Sequence, residues 1–142
     1  MNNLTNQSLS DHEFLYLLGV SQWVFNSNCS FIIEMIDKEH HNNSNESWHI
    51  LIELTAGILK DYKDNIKTIL GNDIYELFKK LVEDRNAIIH SIPTGEKVDD
   101  YVVPFYINHT KNKYIRIDKK VLIKFIKENE ELSNKLHTFR GY

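Results

Sequence analysis

Arg85 and His90 stand five positions apart in the run Arg85-Asn86-Ala87-Ile88-Ile89-His90, with the amide of Asn86 between them. A guanidinium is a planar, permanently charged fork of donors that suits phosphate or carboxylate oxygens. An imidazole, with an unperturbed pKa of about 6.5, gives or takes a proton near neutral pH. Together these groups could hold a phosphate-sized anion and move a proton beside it, provided that the chain carries them to one place.

The carrier reads as a helix. Asn72 is a good N-cap, and Ile74, Leu77, Phe78, Leu81 and Ile88 recur at helical spacing. Ser91-Ile92-Pro93-Thr94-Gly95 stops it, because proline disfavours helical geometry in the residue before it. Successive helical residues turn by about 100°, which puts Arg85 in the apolar stripe led by Leu81. Asn86 and His90, four apart, share the adjoining polar face. A structural alternative stands beside this: His90 near a helix C-terminus can interact with free carbonyls, and Arg85 can pair with Asp84 or Glu53. An arginine in an apolar stripe is costly unless it is paired or used.

An arginine, a polar residue, three others and a histidine at the end of a bundle helix resemble the active-site motif of the HEPN superfamily. Its members are small helical domains, many of them metal-independent RNases of toxin–antitoxin, phage-defence and CRISPR systems. The likeness covers Arg85 to His90 closely and the helical context from about Ser10 to His137 more loosely. It implies catalytic roles for Arg85, Asn86 and His90. It also implies a homodimer in which two motifs face each other across one cleft, since one histidine cannot readily serve as both base and acid. The chemistry suits RNA: a 2′-hydroxyl attacks phosphorus as a base removes its proton, an acid protonates the departing 5′-oxygen, and arginine stabilises the charge growing on the phosphate. Some members carry a tyrosine two residues after the histidine; here that residue is Ile92, which puts regulation through a modified tyrosine in doubt.

A chain of 142 residues, 42% hydrophobic and 26% charged, reads as one soluble domain over 1–142 with residues 1–9 frayed. Cys29 is the single cysteine and can form no internal disulfide. No basic, then apolar leader is visible, and no apolar run is long enough for a membrane, so the expected location is cytoplasmic. A net charge of −3 does not advertise a nucleic-acid binder, but Lys111, Lys113, Arg116, Lys119, Lys120, Lys124 and Lys127 face only Asp118 as a local acid. Lys111, Lys113, Lys120, Lys124 and Lys127 are therefore candidate RNA contacts, with a solvated amphipathic face as the alternative.

The remaining pattern is mostly helical. Ser10-Asp11-His12-Glu13 reads as a capping box, opening a helix to about Lys38 that Asn26-Ser27-Asn28 bends or interrupts. Phe14, Leu17, Leu18, Val24, Phe25, Ile32, Met35 and Ile36 form its stripe, widened by Leu15, Val20, Trp23, Phe31 and Ile33. A loop at 40–45 leads to a second helix from about Glu46 to Leu70. Tyr101–Ile107 and Lys113–Ile117 read as a β-hairpin, with Pro104 confining its strand to an edge, and Asp118 caps a last helix. The expected fold is all-α: an up-and-down HEPN-like bundle with a small β-hairpin inserted over 99–118.

Other candidates are weaker. Glu39, His40, His41, Glu46 and His49 form the one ligand-rich cluster, but they lie in a loop with neither HExxH nor a cysteine set, so no metal is assigned. No cofactor is called for, and no Gly-rich phosphate loop is present. Cys29 reads as a buried thiol. Trp23, Trp48, Tyr101, Phe105 and Tyr106 are able to stack on bases but also suit a core. The leading expectation is a metal-independent endoribonuclease of toxin or defence type. Its partners would be RNA, a second copy and, where one exists, an antitoxin or other protein, with no membrane. The alternative is a non-catalytic HEPN-like module that binds a partner protein or nucleotide.

Overall fold

In the computed structural model, residues 5, 7, 9–40, 64 and 66–141 are described. Their elements are α1 (His12–His40), α2 (Asn72–Ile89), β1 (Ile92–Val98), β2 (Tyr101–Asn108), β3 (Lys113–Arg116) and α3 (Lys119–Arg140). α1 runs past its expected end at Lys38 to take in Glu39 and His40, while residues 41–45 of the expected loop, most of the expected second helix, and His41, Glu46, Trp48 and His49 lie outside the described residues. Residues 66–70, at the end of that expected helix, are helical, with Ile66 and Leu70 buried.

The helices follow their apolar spacing. Phe14, Phe25, Ile32 and Ile36 of α1, Ile74, Phe78 and Leu81 of α2, and Leu122, Phe125, Leu132 and Leu136 of α3 form one core. Phe25 sits at its centre, 6.2 Å from the Phe78 ring and 6.0 Å from the Phe125 ring, and so joins all three helices. α1 runs unbroken through Asn26-Ser27-Asn28, because Asn28 turns inward to hydrogen-bond α3. Trp23 departs from the expected stripe: it is 77% exposed, as the apolar arc of α1 is wider than the surface its neighbours cover.

The ends are set by side chains other than some of those expected. Asp11, one residue after Ser10, caps α1 by accepting from the Phe14 N–H at 2.7 Å. Ser10 Oγ instead donates to the Val102 carbonyl of β2 at 2.9 Å. Gly71, with φ 93°, precedes α2 and Asn72 is its first helical residue, so no side chain caps that end. Asp118 does cap α3, accepting from Val121 N–H at 2.9 Å.

The all-α expectation is wrong. Three antiparallel strands in the order β1-β2-β3 stand between α2 and α3, so the described residues form a mixed α-and-β fold rather than a helical bundle with a lone hairpin. β1 escapes a pattern search because it buries almost nothing and contains Pro93 and Gly95. It is held by backbone pairing to β2 through a two-residue turn, Asp99-Asp100, whose φ angles of 49° and 68° are those of a type I′ hairpin. Gly95, at φ 83°, lies where the β1–β2 register shifts between Pro93 and Lys97, an irregularity that needs its left-handed backbone.

Pro104 consequently sits in the central strand, not an edge. Its carbonyl accepts from Ile117 N–H at 2.9 Å, on the β3 side. A strand residue's N–H and C=O point to the same neighbour, so the donor that Pro104 lacks is opposite a residue just past the end of β3. One missing bond at the ladder's end is tolerable. The inner side of β2 joins the core through Tyr101 and Val103. Tyr101 packs on Phe14 with ring centroids 5.7 Å apart, and its hydroxyl oxygen accepts from Lys119 N–H at 2.9 Å, which fixes the sheet against α1 and the start of α3.

Candidate functional site

α2 ends where the motif ends. His90 caps the helix: its N–H donates to Asn86 O at 3.1 Å, and Ser91 N–H and Oγ both reach Ile88 O, at 3.4 and 2.7 Å. Ser91, not the His90 ring, thus satisfies one of the last carbonyls. The residue is exposed, and its ring makes no hydrogen bond, ion pair or ring contact among the described residues.

Arg85 lies on the opposite side of the helix end, its guanidinium over the Phe25 ring at 5.7 Å. The residue is half-buried, yet its Nε is fully buried and donates to nothing among the described residues. Asp84, the neighbour available for an ion pair, is held by Lys80 at 2.7 Å, and Glu53 lies outside the described residues. A charged donor left unsatisfied costs more than the ~1–3 kcal/mol of a neutral one. Cation–π attraction to Phe25, about 0.5–2 kcal/mol, offsets part of that. The Arg85 charge is also felt at Cys29 one turn along α1, where burial pushes the thiol up to about 12 against the opposing pull of the guanidinium.

The second buried side-chain atom lacking a hydrogen bond is Glu128 Oε1, but its carboxylate is engaged: Oε2 meets Lys80 at 2.6 Å and Lys124 Nζ is 4.0 Å from Oε1. Arg85 has no such counter-charge among the described residues.

Asn86 takes a third direction. It lines a cleft of about 450 Å³ between α2 and the β2–β3 hairpin, with Glu83, Tyr106, Asn108, Thr110 and Lys111 among the other walls. The chain therefore brings Asn86 to Lys111 but not Arg85 to His90, and residues 85 and 90 differ by about 140° around the helix axis. The other candidate lysines are dispersed. Lys113 and Lys120 are exposed, Lys124 lies by Glu128, and Lys127 borders an open hollow beside the start of α2 that also holds Glu130 and Glu131.

Comparison with protein-family models, curated proteins and solved structures found no match. No group of three or more His, Cys, Asp or Glu residues able to hold a metal occurs among the described residues, and no helix among them is long and apolar enough to cross a membrane.

Sequence reasoning missed the cleft. Asn108 was readable only as a loop boundary, and Glu83 and Thr110 as surface. The available signal was the strand alternation, which turns Tyr106 and Asn108 to one face of β2, with Ile115 beside Tyr106 in β3.

Proposed function

We propose that the protein is a HEPN-like, metal-independent endoribonuclease of toxin or defence type. It acts in the cytoplasm as a homodimer that cleaves RNA through its own 2′-hydroxyl. The observation carrying this reading is the Arg85 guanidinium, held at the end of α2 with a buried Nε that nothing in the described chain accepts from. A phosphate oxygen supplies the missing acceptor and the missing negative charge together.

His90, exposed on another side of the same helix end, cannot serve Arg85's phosphate from within one chain without rearrangement. Two chains related by a two-fold axis bring the Arg85 of one toward the His90 of the other. Apolar surface for that contact adjoins His90: Ile89 is partly exposed, Ile92 is 61% exposed and Leu9 62% exposed, the first and last beside a groove that continues to Phe14 and Pro93. In the paired site, one imidazole takes the 2′-hydroxyl proton and the other protonates the leaving 5′-oxygen. Arg85 neutralises the charge between them, Asn86 positions the arginine or the phosphate, and Lys111, Lys113, Lys120, Lys124 and Lys127 meet the flanking backbone.

The separation of Arg85 from His90 equally favours a second reading, a non-catalytic module that holds a partner protein or nucleotide through the same helix end. Incubation with RNA in excess EDTA decides between them. The nuclease reading expects products with 2′,3′-cyclic phosphate or 3′-phosphate ends, no cleavage of DNA or 2′-deoxy-substituted sites, and loss of cleavage in His90→Ala. An intact RNA, or full activity in His90→Ala, selects the binding module.

A further inference from the structure

The cleft between α2 and the β2–β3 hairpin gathers polar groups that the fold leaves unspent. Asn86, Tyr106, Lys111 and Glu83 all line it, and their side chains make no hydrogen bond or ion pair among the described residues. Asn108 is oriented by its own turn: its Oδ1 accepts from Thr110 N–H at 3.1 Å and Lys111 N–H at 3.2 Å, leaving the amide NH₂ free to donate. Ala87, Ile115 and the Tyr106 ring supply apolar wall. A few convergent polar groups on a partly apolar cleft of several hundred Å³ are what a small planar ligand requires.

We propose that this cleft is the nucleobase subsite of the enzyme and that it takes guanine from the RNA strand next to the scissile phosphate. The assignment rests on the ribonuclease reading above, because Asn86 joins the cleft to Arg85 along the helix. Single-stranded RNA is read by stacking on aromatic rings and by hydrogen bonds to the edges of the base. Guanine presents acceptors, O6 and N7, along one edge and donors, N1–H and the 2-amino group, along another. Lys111 and the Asn108 NH₂ supply donors for the first, and the Glu83 carboxylate supplies an acceptor for the second. Adenine and uracil each reverse at least one of these pairings, and cytosine lacks the O6/N7 pair. Asp84, spent on Lys80, contributes wall but no free acceptor.

Two measurements test this. In a pool of random-sequence RNA, the parent should cut with guanine enriched at one position beside the break. Asn108→Ala, Glu83→Gln and Tyr106→Ala should each lower that enrichment about tenfold while leaving His90-dependent product ends unchanged. Circular dichroism of each variant should match the parent. Cutting with no base preference, or an unchanged preference in all three variants, overturns the guanine subsite and leaves the nuclease standing. The second measurement does not depend on cleavage: guanosine 5′-monophosphate titrated into His90→Ala protein should shift the amide side-chain resonances of Asn86 and Asn108, and adenosine 5′-monophosphate should do so at least tenfold more weakly. Such shifts, found when the parent itself cuts no RNA, support the cleft as a guanine site and reject the nuclease. Absence of shifts, or equal shifts with both nucleotides, rejects the subsite.

Discussion

Two polar groups lie along the inner face of α1, Asn28 from the helix itself and Arg85 from α2, and they are treated in opposite ways. Asn28 is buried at the seam with α3, where its Nδ2 donates to both the backbone carbonyl and Oδ1 of Asn129, at 2.9 and 3.1 Å. Asn129 in turn donates to Phe125 O at 2.9 Å, so each amide in the pair finds partners inside the chain. Arg85, about a turn away over Phe25, has a buried Nε that finds none among the described residues. Buried polar groups of structural purpose satisfy one another, since an unmet donor in a low-dielectric interior is costly. The amide pair is architecture. The guanidinium is held at a cost to folding, and in the proposed enzyme a phosphate oxygen supplies its acceptor.

This contrast makes separable demands on variants. The largest effect belongs to Arg85→Met, which keeps most of the side chain's volume over Phe25 but removes charge and donors. RNA cleavage should drop by about 100-fold to 1,000-fold, while the unfolding midpoint in urea stays the same or rises, because an unmet buried donor is gone. Lost activity together with lost stability would instead make Arg85 part of the framework.

Asn28→Ala is the mirror experiment. It removes the donor to the buried Asn129 Oδ1 and backbone carbonyl and should lower unfolding free energy by about 1–3 kcal/mol, read from urea unfolding, with cleavage by the folded fraction unchanged. A smaller effect on folding, or a tenfold effect on cleavage, would erase the distinction between the two sites.

The Asp11–Lys119 ion pair, at 2.8 Å between α1's cap and the start of α3, is a surface counterpart to both. The Lys119 ammonium and the Phe14 N–H hold Asp11 below its usual carboxylate value of 3.8. Its contribution to stability is therefore present above about pH 4 and is lost as pH falls through the lowered value in the folded protein. Lys119 is raised above 10.5 chiefly by its hydrogen bond to Asp11, so its own contribution is present below that pH and fades in strong alkali. Lys119→Met should weaken the fall of the unfolding midpoint as pH drops below about 4, a small change. An acid limb identical to the parent's would show that the pair adds nothing.

The helical half of the fold was legible because period and burial agree: Ile74, Phe78, Leu81, Leu122, Phe125 and Leu132 are spaced as a core-facing stripe requires and are buried. β1 was not, because its residues are exposed and its only fastening is backbone pairing, which leaves no mark on side-chain pattern. Asp99-Asp100 lacks the glycine that usually advertises such a turn. Pro104 misled for a related reason: the rule that proline avoids central strands holds for a paired donor, and its position falls where the ladder has ended. At the site, spacing was enough to place Arg85 toward the core and His90 at the helix end. It could not reveal that the guanidinium meets no carboxylate among the described residues, or that Asn86 opens onto Tyr106 and Asn108, because those facts depend on how α1 and β2 pack on α2.

The most direct measurement is of the Arg85 guanidinium itself. In uncleaving His90→Ala protein, the Arg85 Nε–Hε resonance should exchange rapidly with solvent or lie near its free position. On titration with a short RNA it should shift downfield and become protected, while the same titration with Arg85→Met protein should show weakened binding. RNA that binds tightly without moving that resonance would contradict the account, because the unspent donor would then not be what meets the phosphate.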